Sequence, residues 1–283
     1  MAAGRGFTGG PSWIMPARPG GICAKASSLR SGAVDLGLAG RNALVTGGTR
    51  GIGLAIARAL VAERAHVAVV ARGEEGLRAA ELELGVVGIK ADLATEEGCV
   101  HAYTEAERLL DPLEILVNSF GGRAGSAWED SGAPEFEQAL ASNLLAAVRL
   151  SKLAVPGMAA RGWGRIVVIS SVYGREAGGP PAYNAAKAAE ISFAKSLGRE
   201  YGSRGVLVNS VAPGSILFAG GSWDRRQKAD PTGIAAFVER ELPLRRFGRP
   251  EEVATVVAFL CSDQASLVNG VCWVVDGGQS RAF

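Results

Sequence analysis

Residues 42–63 read Asn-Ala-Leu-Val-Thr-Gly-Gly-Thr-Arg-Gly-Ile-Gly-Leu-Ala-Ile-Ala-Arg-Ala-Leu-Val-Ala-Glu. A short apolar run, Asn42 to Thr46, enters a glycine-rich turn, and Gly51 to Glu63 then has the spacing of an amphipathic helix. In such a turn glycines let the backbone bend tightly and approach a ligand. The free N–H groups and positive end of the following helix attract a pyrophosphate. A glycine-rich stretch alone also occurs in ordinary strand-to-helix turns; the strand directly before it and the helix directly after it favour nucleotide binding here. The spacing is G-x-x-x-G-x-G rather than G-x-G-x-x-G, and Gly47, Thr49, Arg50, Gly51, Ile52 and Gly53 are the expected cofactor-binding residues of the turn.

The same alternation continues along the chain. Strands are expected at His66–Ala71, Val86–Lys90, Glu114–Asn118, Arg165–Ser170, Val206–Val211 and Val271–Val275. Helices are expected at Glu96–Leu110, Ala182–Tyr201 and Pro250–Cys261, with one long helical stretch over Pro134–Arg161. Short strands separated by longer helices predict an α/β fold: a single Rossmann-type, doubly wound parallel sheet of about seven strands with helices on both faces. No internal repeat points to a solenoid or propeller.

Hydrophobic residues make up 48% of the 283-residue chain, enough for one large core, and the formal charge of +2 supplies no basic stripe of the kind that tracks nucleic acid. Nucleic acid is therefore not an expected partner. Cys23, Cys99, Cys261 and Cys272 are scattered, and His66 and His101 are the only imidazoles. That composition argues against a metal site, a disulfide framework and a Cys-His catalytic pair, and it suits the cytoplasm. Residues 1–34 contain no Asp or Glu and keep no apolar period. Residues 1–35 are read as a disordered leader or an over-long start, with a transit peptide as the alternative, and residues 36–283 as the folded domain. No run is long and apolar enough to span a membrane.

The second strand ends in Val69-Val70-Ala71-Arg72, about 20 residues past the turn, where a carboxylate would accept from the ribose hydroxyls of NAD. An arginine there, with Arg50 in the loop, suits a 2′-phosphate that guanidinium groups grip through parallel hydrogen bonds. NADP(H) is thus the preferred cofactor and NAD(H) the alternative. Either arginine can also be a plain solvated charge. Asp92, after the third strand, is placed to accept from the adenine amino group or to cap the next helix, a role for which Thr95 competes.

Farther on, Tyr183 and Lys187 stand four residues apart in Pro-Pro-Ala-Tyr-Asn-Ala-Ala-Lys-Ala-Ala-Glu. On a helix both project from one face. Such a pair is common by chance, and Ala, Lys and Glu are simply good helix formers. An ammonium one turn from a phenol also stabilises the phenolate, which makes the pair a proton donor and acceptor for a carbonyl or an alcohol. Ser171 lies twelve residues earlier at the carboxyl end of a strand, the edge where open α/β sheets bind ligands. Its hydroxyl can donate to a developing oxyanion, although serines at strand ends are also ordinary turn formers.

Together these motifs resemble the short-chain dehydrogenase/reductase family from about Leu38 to Gly278. They are Thr46-Gly47-x-x-x-Gly51-x-Gly53, Asp92, Leu116-Val117-Asn118, Asn143 in Ser-Asn-Leu, Ser-Ser-Val-Tyr-Gly, Tyr183-x-x-x-Lys187, Asn209, Pro213-Gly214 and Val275-Asp276-Gly277-Gly278. The resemblance implies a tetrad: Tyr183 as general acid/base, Lys187 as its activator and ribose ligand, Ser171 polarising the carbonyl, and Asn143 holding a water in a proton relay. It adds Leu93, Asn118, Pro213, Gly214 and Ile216 to the cofactor site and implies homodimers or homotetramers. The chain departs from the family in Asn118-Ser119-Phe120-Gly121, where Phe120 replaces a small residue. The Ser-to-Tyr interval is also one residue short, so counting alone would select Ser170; Ser171 matches the second serine of Ser-Ser-x-x-Gly. Tyr173 is expected to line the substrate pocket.

Residues 215–246 follow the sixth strand and are read as an irregular substrate lid carrying Ile216, Leu217, Phe218, Trp223 and Phe237. Arg225, Arg226 and Lys228 can attract an anionic thioester carrier or can be solvated charges. The expected activity is NADP-dependent interconversion of a carbonyl and a secondary alcohol, with a 3-oxoacyl thioester as the favoured example of a substrate. The alternatives are an NAD-dependent alcohol or steroid-type dehydrogenase and a redox sensor without turnover.

Overall fold

The computed structural model describes residues 34–122, 125 and 127–283. The leader read at residues 1–35 therefore lies outside the described residues, apart from its last two. The strands are β1 Asn42–Thr46, β2 His66–Ala71, β3 Val87–Lys90, β4 Ile115–Asn118, β5 Gly164–Ile169, β6 Val206–Pro213 and β7 Cys272–Val275. All neighbours are parallel, in the order β3-β2-β1-β4-β5-β6-β7. The helices are α1 Gly51–Ala62, α2 Glu74–Leu84, α3 Glu96–Leu110, α4 Ala133–Leu140, α5 Ala146–Arg161, α6 Pro181–Tyr201, α7 Ser222–Ala229, α8 Pro231–Glu241 and α9 Pro250–Cys261. The expected doubly wound sheet is the observed one.

The period of two along each strand divides the apolar interior. Ala43, Val45, Val67, Val69, Ile115, Val117, Val167 and Ile169 face one side with α1, α2 and α9. Leu44, Ala68, Val70, Leu116, Ile166 and Val168 face the other with α3, α5 and α6. Strands covered on both faces need apolar residues at every position, and β1, β4 and β5 are buried throughout. Because β1 lies between β2 and β4, the chain reverses its winding direction there, and a crevice opens at the carboxyl ends of β1 and β4.

Three elements differ from the reading of the sequence. Helix α2 was absent from it. Only Leu77 and Ala80 of that helix are buried, so its apolar stripe is thin, and Gly76 interrupts its first turn. That glycine lets α2 approach the turn after β1: an added Cβ would stand 3.1 Å from Thr49 Cβ. The long stretch at Pro134–Arg161 is two helices joined by a π-helical segment, Ala141–Leu145. Asn143, in that segment, donates its side-chain amide to the Ala139 carbonyl at 2.9 Å. Residues 215–246, read as irregular, contain α7 and α8. Asp230 caps α8 by accepting from Gly233 N at 2.8 Å.

Helix α9 is anchored through Glu252. Its carboxylate accepts from both Arg246 guanidinium nitrogens at 2.9 and 2.7 Å and from the Arg249 amide at 2.8 Å. The Arg246 hydrogen bonds, followed by the Arg249 amide, hold this carboxyl at about 2 rather than 4.5. A depressed folded-state value means that the stabilisation is complete above pH 4.5 and is lost as pH falls toward about 2. Discounted for partial exposure, Glu252→Gln is expected to lose about 1 kcal/mol at neutral pH, with the difference from the native chain closing in strong acid. Urea unfolding at the two pH values measures it; an equal loss in strong acid would rule out the ionic cause.

Candidate active site

The turn after β1 is built around backbone that tolerates no side chain. At Gly53 an added Cβ would lie 2.3 Å from the Gly47 carbonyl oxygen, and Gly47 itself has φ +65°. Gly51, φ +55°, would bring a Cβ within 2.7 Å of the Phe218 ring from the segment after β6. Thr46, 1% exposed, ties this turn to the chain leaving β4. Its hydroxyl oxygen accepts from Ser119 N at 2.9 Å and Phe120 N at 2.8 Å and donates to the Val117 carbonyl at 3.3 Å.

The crevice is a cleft of about 730 Å³. At one end Gly47, Thr49, Arg50, Ile52, Gly53, Arg72 and Leu93 form its wall; Pro213, Gly214 and Ile216 join from β6 and the turn beyond it. Three features fit this end to an anionic dinucleotide. The start of α1 has no side-chain cap and no acidic residue, so its N–H groups remain for an anion. The glycines form a cradle that a Cβ would fill. Arg50 and Arg72 make no ion pair with another described residue. Of the other expected cofactor residues, Gly51 lies beneath Phe218 rather than on the wall. Asp92 is exposed and accepts from Ala94 N at 3.1 Å as a turn former, while Thr95 caps α3 by accepting from Gly98 N at 3.0 Å. Asn118 stands behind the wall, 5% exposed, and neither polar atom of its side chain meets a partner among the described residues.

The other end of the cleft holds Ser171, Tyr173, Tyr183 and Lys187. Ser170 donates its hydroxyl to the Lys187 carbonyl at 2.8 Å, which fastens the end of β5 to α6 and occupies that group. Ser171 instead accepts from Tyr173 N at 3.2 Å, which leaves its own proton to donate. Tyr183 is half-buried, and the Lys187 ammonium lies 5.7 Å from its ring centre. The ammonium does not sit on the phenol. It donates to the Ile169 carbonyl at 3.0 Å and to both Glu190 oxygens at 2.9 and 3.0 Å. Burial alone would drive this amine toward its neutral form; Glu190 and Tyr183 outweigh burial and hold Lys187 above its ordinary range.

Asn143 is 1% exposed and supports the site from behind. Its side-chain oxygen accepts from Gly122 N at 3.1 Å and its nitrogen donates to Gly122 O at 3.2 Å, which shapes the loop after β4. Gly121, φ +145°, passes so close that a Cβ there would be 2.5 Å from the Asn143 oxygen. The sequence reading missed Glu190, which lies one turn beyond Lys187, because a glutamate among alanines looks like a surface helix former. It also missed the order in the lid. Trp223 stacks on Phe237 at 4.7 Å and meets Phe247 at 5.1 Å, and Trp223, Phe237 and Arg226 line the cleft. Of the three basic residues there, Lys228 pairs with Asp224 at 2.9 Å and Arg225 donates to the Gly220 carbonyl at 2.6 Å. Arg226 lies over the Trp223 ring at 4.5 Å. Among the described residues no three His, Cys, Asp or Glu side chains cluster to hold a metal, and no helix is long and apolar enough to cross a membrane.

Comparison with known proteins matches residues 47–280 to the family described as enoyl-(acyl carrier protein) reductase. A 3-oxoacyl-(acyl-carrier-protein) reductase of Aquifex aeolicus is 37% identical over 255 residues, 87% of this chain and 99% of its own. L-sorbose reductase from Gluconobacter frateurii, solved with NADPH and L-sorbose, superposes with a TM-score of 0.82 at 32% identity, covering 88% of this chain and all of that one. A 3-oxoacyl (acyl-carrier-protein) reductase from Agrobacterium tumefaciens C58, solved with NADP, gives 0.82 at 30% identity over 91% of this chain and 100% of its own. With the glycine turn, the seven-stranded parallel sheet and these relatives over most of its length, the chain belongs to the short-chain dehydrogenase/reductase family and is an oxidoreductase acting on CH–OH groups.

Proposed function

We propose that the protein is an NADP-dependent carbonyl reductase whose substrates are 3-oxoacyl thioesters. The observation that carries this reading is that one cleft joins two uncompensated guanidinium groups, Arg50 and Arg72, to the hydroxyls of Ser171 and Tyr183. Arg72 and Arg50 would hold the 2′-phosphate, and the start of α1 with Gly47 and Gly53 would seat the pyrophosphate. NADPH bound there supplies the hydride. Ser171 donates to the carbonyl oxygen as charge develops on it, and Tyr183 delivers the proton that completes the alcohol. Lys187 supplies positive charge beside the phenol, and Asn143 acts indirectly by fixing Gly121 and Gly122. Arg226, on the lid and facing the cleft, suits a thioester whose carrier arm is anionic, and the Trp223–Phe237 stack suits its acyl chain. The reading includes a cytoplasmic location and assembly into dimers or tetramers.

Purified protein assayed with NADPH and with NADH against 3-oxoacyl thioesters, diketones, quinones and steroids tests it. Turnover with NADPH on the thioesters is expected. Nucleotide binding without turnover on any ketone would favour the sensor instead. Arg72→Ala is expected to weaken NADPH by about tenfold or more, the worth of one charged hydrogen bond, and to leave NADH nearly unchanged. Dissociation constants by calorimetric titration measure both; tighter NADH than NADPH in the native chain would overturn the cofactor assignment.

A further inference from the structure

Lys187 and Glu190 form an ion pair in the interior, 4% and 1% exposed, three residues apart on α6. Helix stability does not explain it. A lysine placed before a glutamate is the less favourable order along the helix dipole, and exposed pairs of this kind contribute only tenths of a kcal/mol. Packing does not explain it either, because an apolar side chain would fill the same volume without stripping two charges of water. The geometry is specific: both Glu190 oxygens and the Ile169 carbonyl take protons of one ammonium, at 2.9, 3.0 and 3.0 Å. The amine is thereby held at the carboxyl end of β5, on the wall of the cleft.

We infer that Glu190 is a positioning residue, whose carboxylate fixes the buried Lys187 ammonium in place on the wall of the cleft. The inference rests on the proposed reductase reading for its consequence, and on the ion pair alone for its physical basis. The charged or titratable neighbours of Lys187 are Glu190 and Tyr183 on its own helix. β5 contributes the Ile169 carbonyl; Ser170, just past its end, donates to the Lys187 main-chain carbonyl and its hydroxyl lowers the Glu190 carboxyl, and Tyr173, in the turn that follows, lines the same cleft. Among the described residues no further charge stands out at either member of the pair. Burial pushes the Glu190 carboxyl above its ordinary range, and Lys187, with the Ser170 hydroxyl, offsets only part of that, so the carboxylate depends on the ammonium. Without the carboxylate, desolvation is the largest influence left on the amine. Lys187 would then lose its proton at a lower pH, and with it the positive charge beside Tyr183.

The chain has six lysines, so methylene signals of carbon-13 lysine are few enough to titrate by NMR, with Lys187→Met assigning the one of interest. In nucleotide-free native protein the Lys187 midpoint is expected above the usual 10.5; a midpoint below it overturns the inference without any variant at Glu190. In Glu190→Gln the midpoint is expected to fall by about one pH unit or more, and the alkaline limb of kcat for ketone reduction to move down with it. Glu190→Asp, which keeps the charge, is expected to restore most of both shifts. An unmoved midpoint in Glu190→Gln, or a moved midpoint with an unmoved limb, refutes the inference. Because the titration needs no turnover, absence of activity in the native chain would count against the proposed function and leave this measurement intact.

Discussion

Replacing Tyr183 by phenylalanine is expected to lower kcat for ketone reduction about 10³-fold while nucleotide affinity and fold are retained. The substitution removes one oxygen atom and keeps the ring, which is only half-buried, so no cavity opens in the core. What is lost is the proposed proton donor on the cleft wall. Ser171 remains able to donate a hydrogen bond to the carbonyl oxygen. The residual rate then reflects hydrogen bonding and proximity without proton delivery. Steady-state consumption of NADPH at saturating ketone, paired with a binding titration, separates the two effects. A loss of less than about tenfold in kcat would move proton transfer to another group in the cleft, such as Tyr173.

The second large effect is expected at Gly53. Two contributions of opposite sign meet there. Inside a helix alanine is favoured over glycine by about 1 kcal/mol, and Gly53 has an ordinary helical φ, so propensity alone argues for a more stable protein. Sterics argues the reverse. The added Cβ would lie 2.3 Å from the Gly47 oxygen and 2.8 Å from its carbon, and these are backbone atoms that cannot rotate out of the way. Relief requires moving the turn itself. Overpacking of this kind costs about 1–3 kcal/mol, which outweighs the propensity gain. Since the displaced atoms belong to the proposed pyrophosphate seat, Gly53→Ala is expected to weaken NADPH by at least about tenfold as well as to lower stability. Calorimetric titration and urea unfolding measure the two. Native affinity in the variant would show that the turn yields without harm and would remove it from the nucleotide site.

The strands were legible in the sequence because the sheet is covered on both faces, so His66–Ala71 and Arg165–Ile169 carry apolar residues on both sides without alternation. The order of motifs likewise placed the glycine turn, Ser171, Tyr183 and Lys187 on one edge. What could not be read depends on contacts between segments distant in sequence. Gly76 looks like a helix breaker until Thr49 is seen packed against it. The side chain of Asn143 gives no sign in the sequence that it will turn inward to bond both Ala139 and Gly122. Trp223, Phe237 and Phe247 become a stack only once α7 and α8 have folded over Phe247. Glu190 shows the limit most clearly. Its spacing from Lys187 was visible, but burial, which turns a routine helical glutamate into a partner of the ammonium, was not.

The hydroxyl of Thr46 serves three main-chain groups where β1 and β4 part and no further ladder is possible. Valine has nearly the same shape and would occupy the same space, yet it would leave two amide protons facing a methyl group. Beyond the last ladder pair, the two strands are thus joined by polarity rather than by volume. The mouth of the crevice is framed by main-chain groups that one side-chain oxygen holds together.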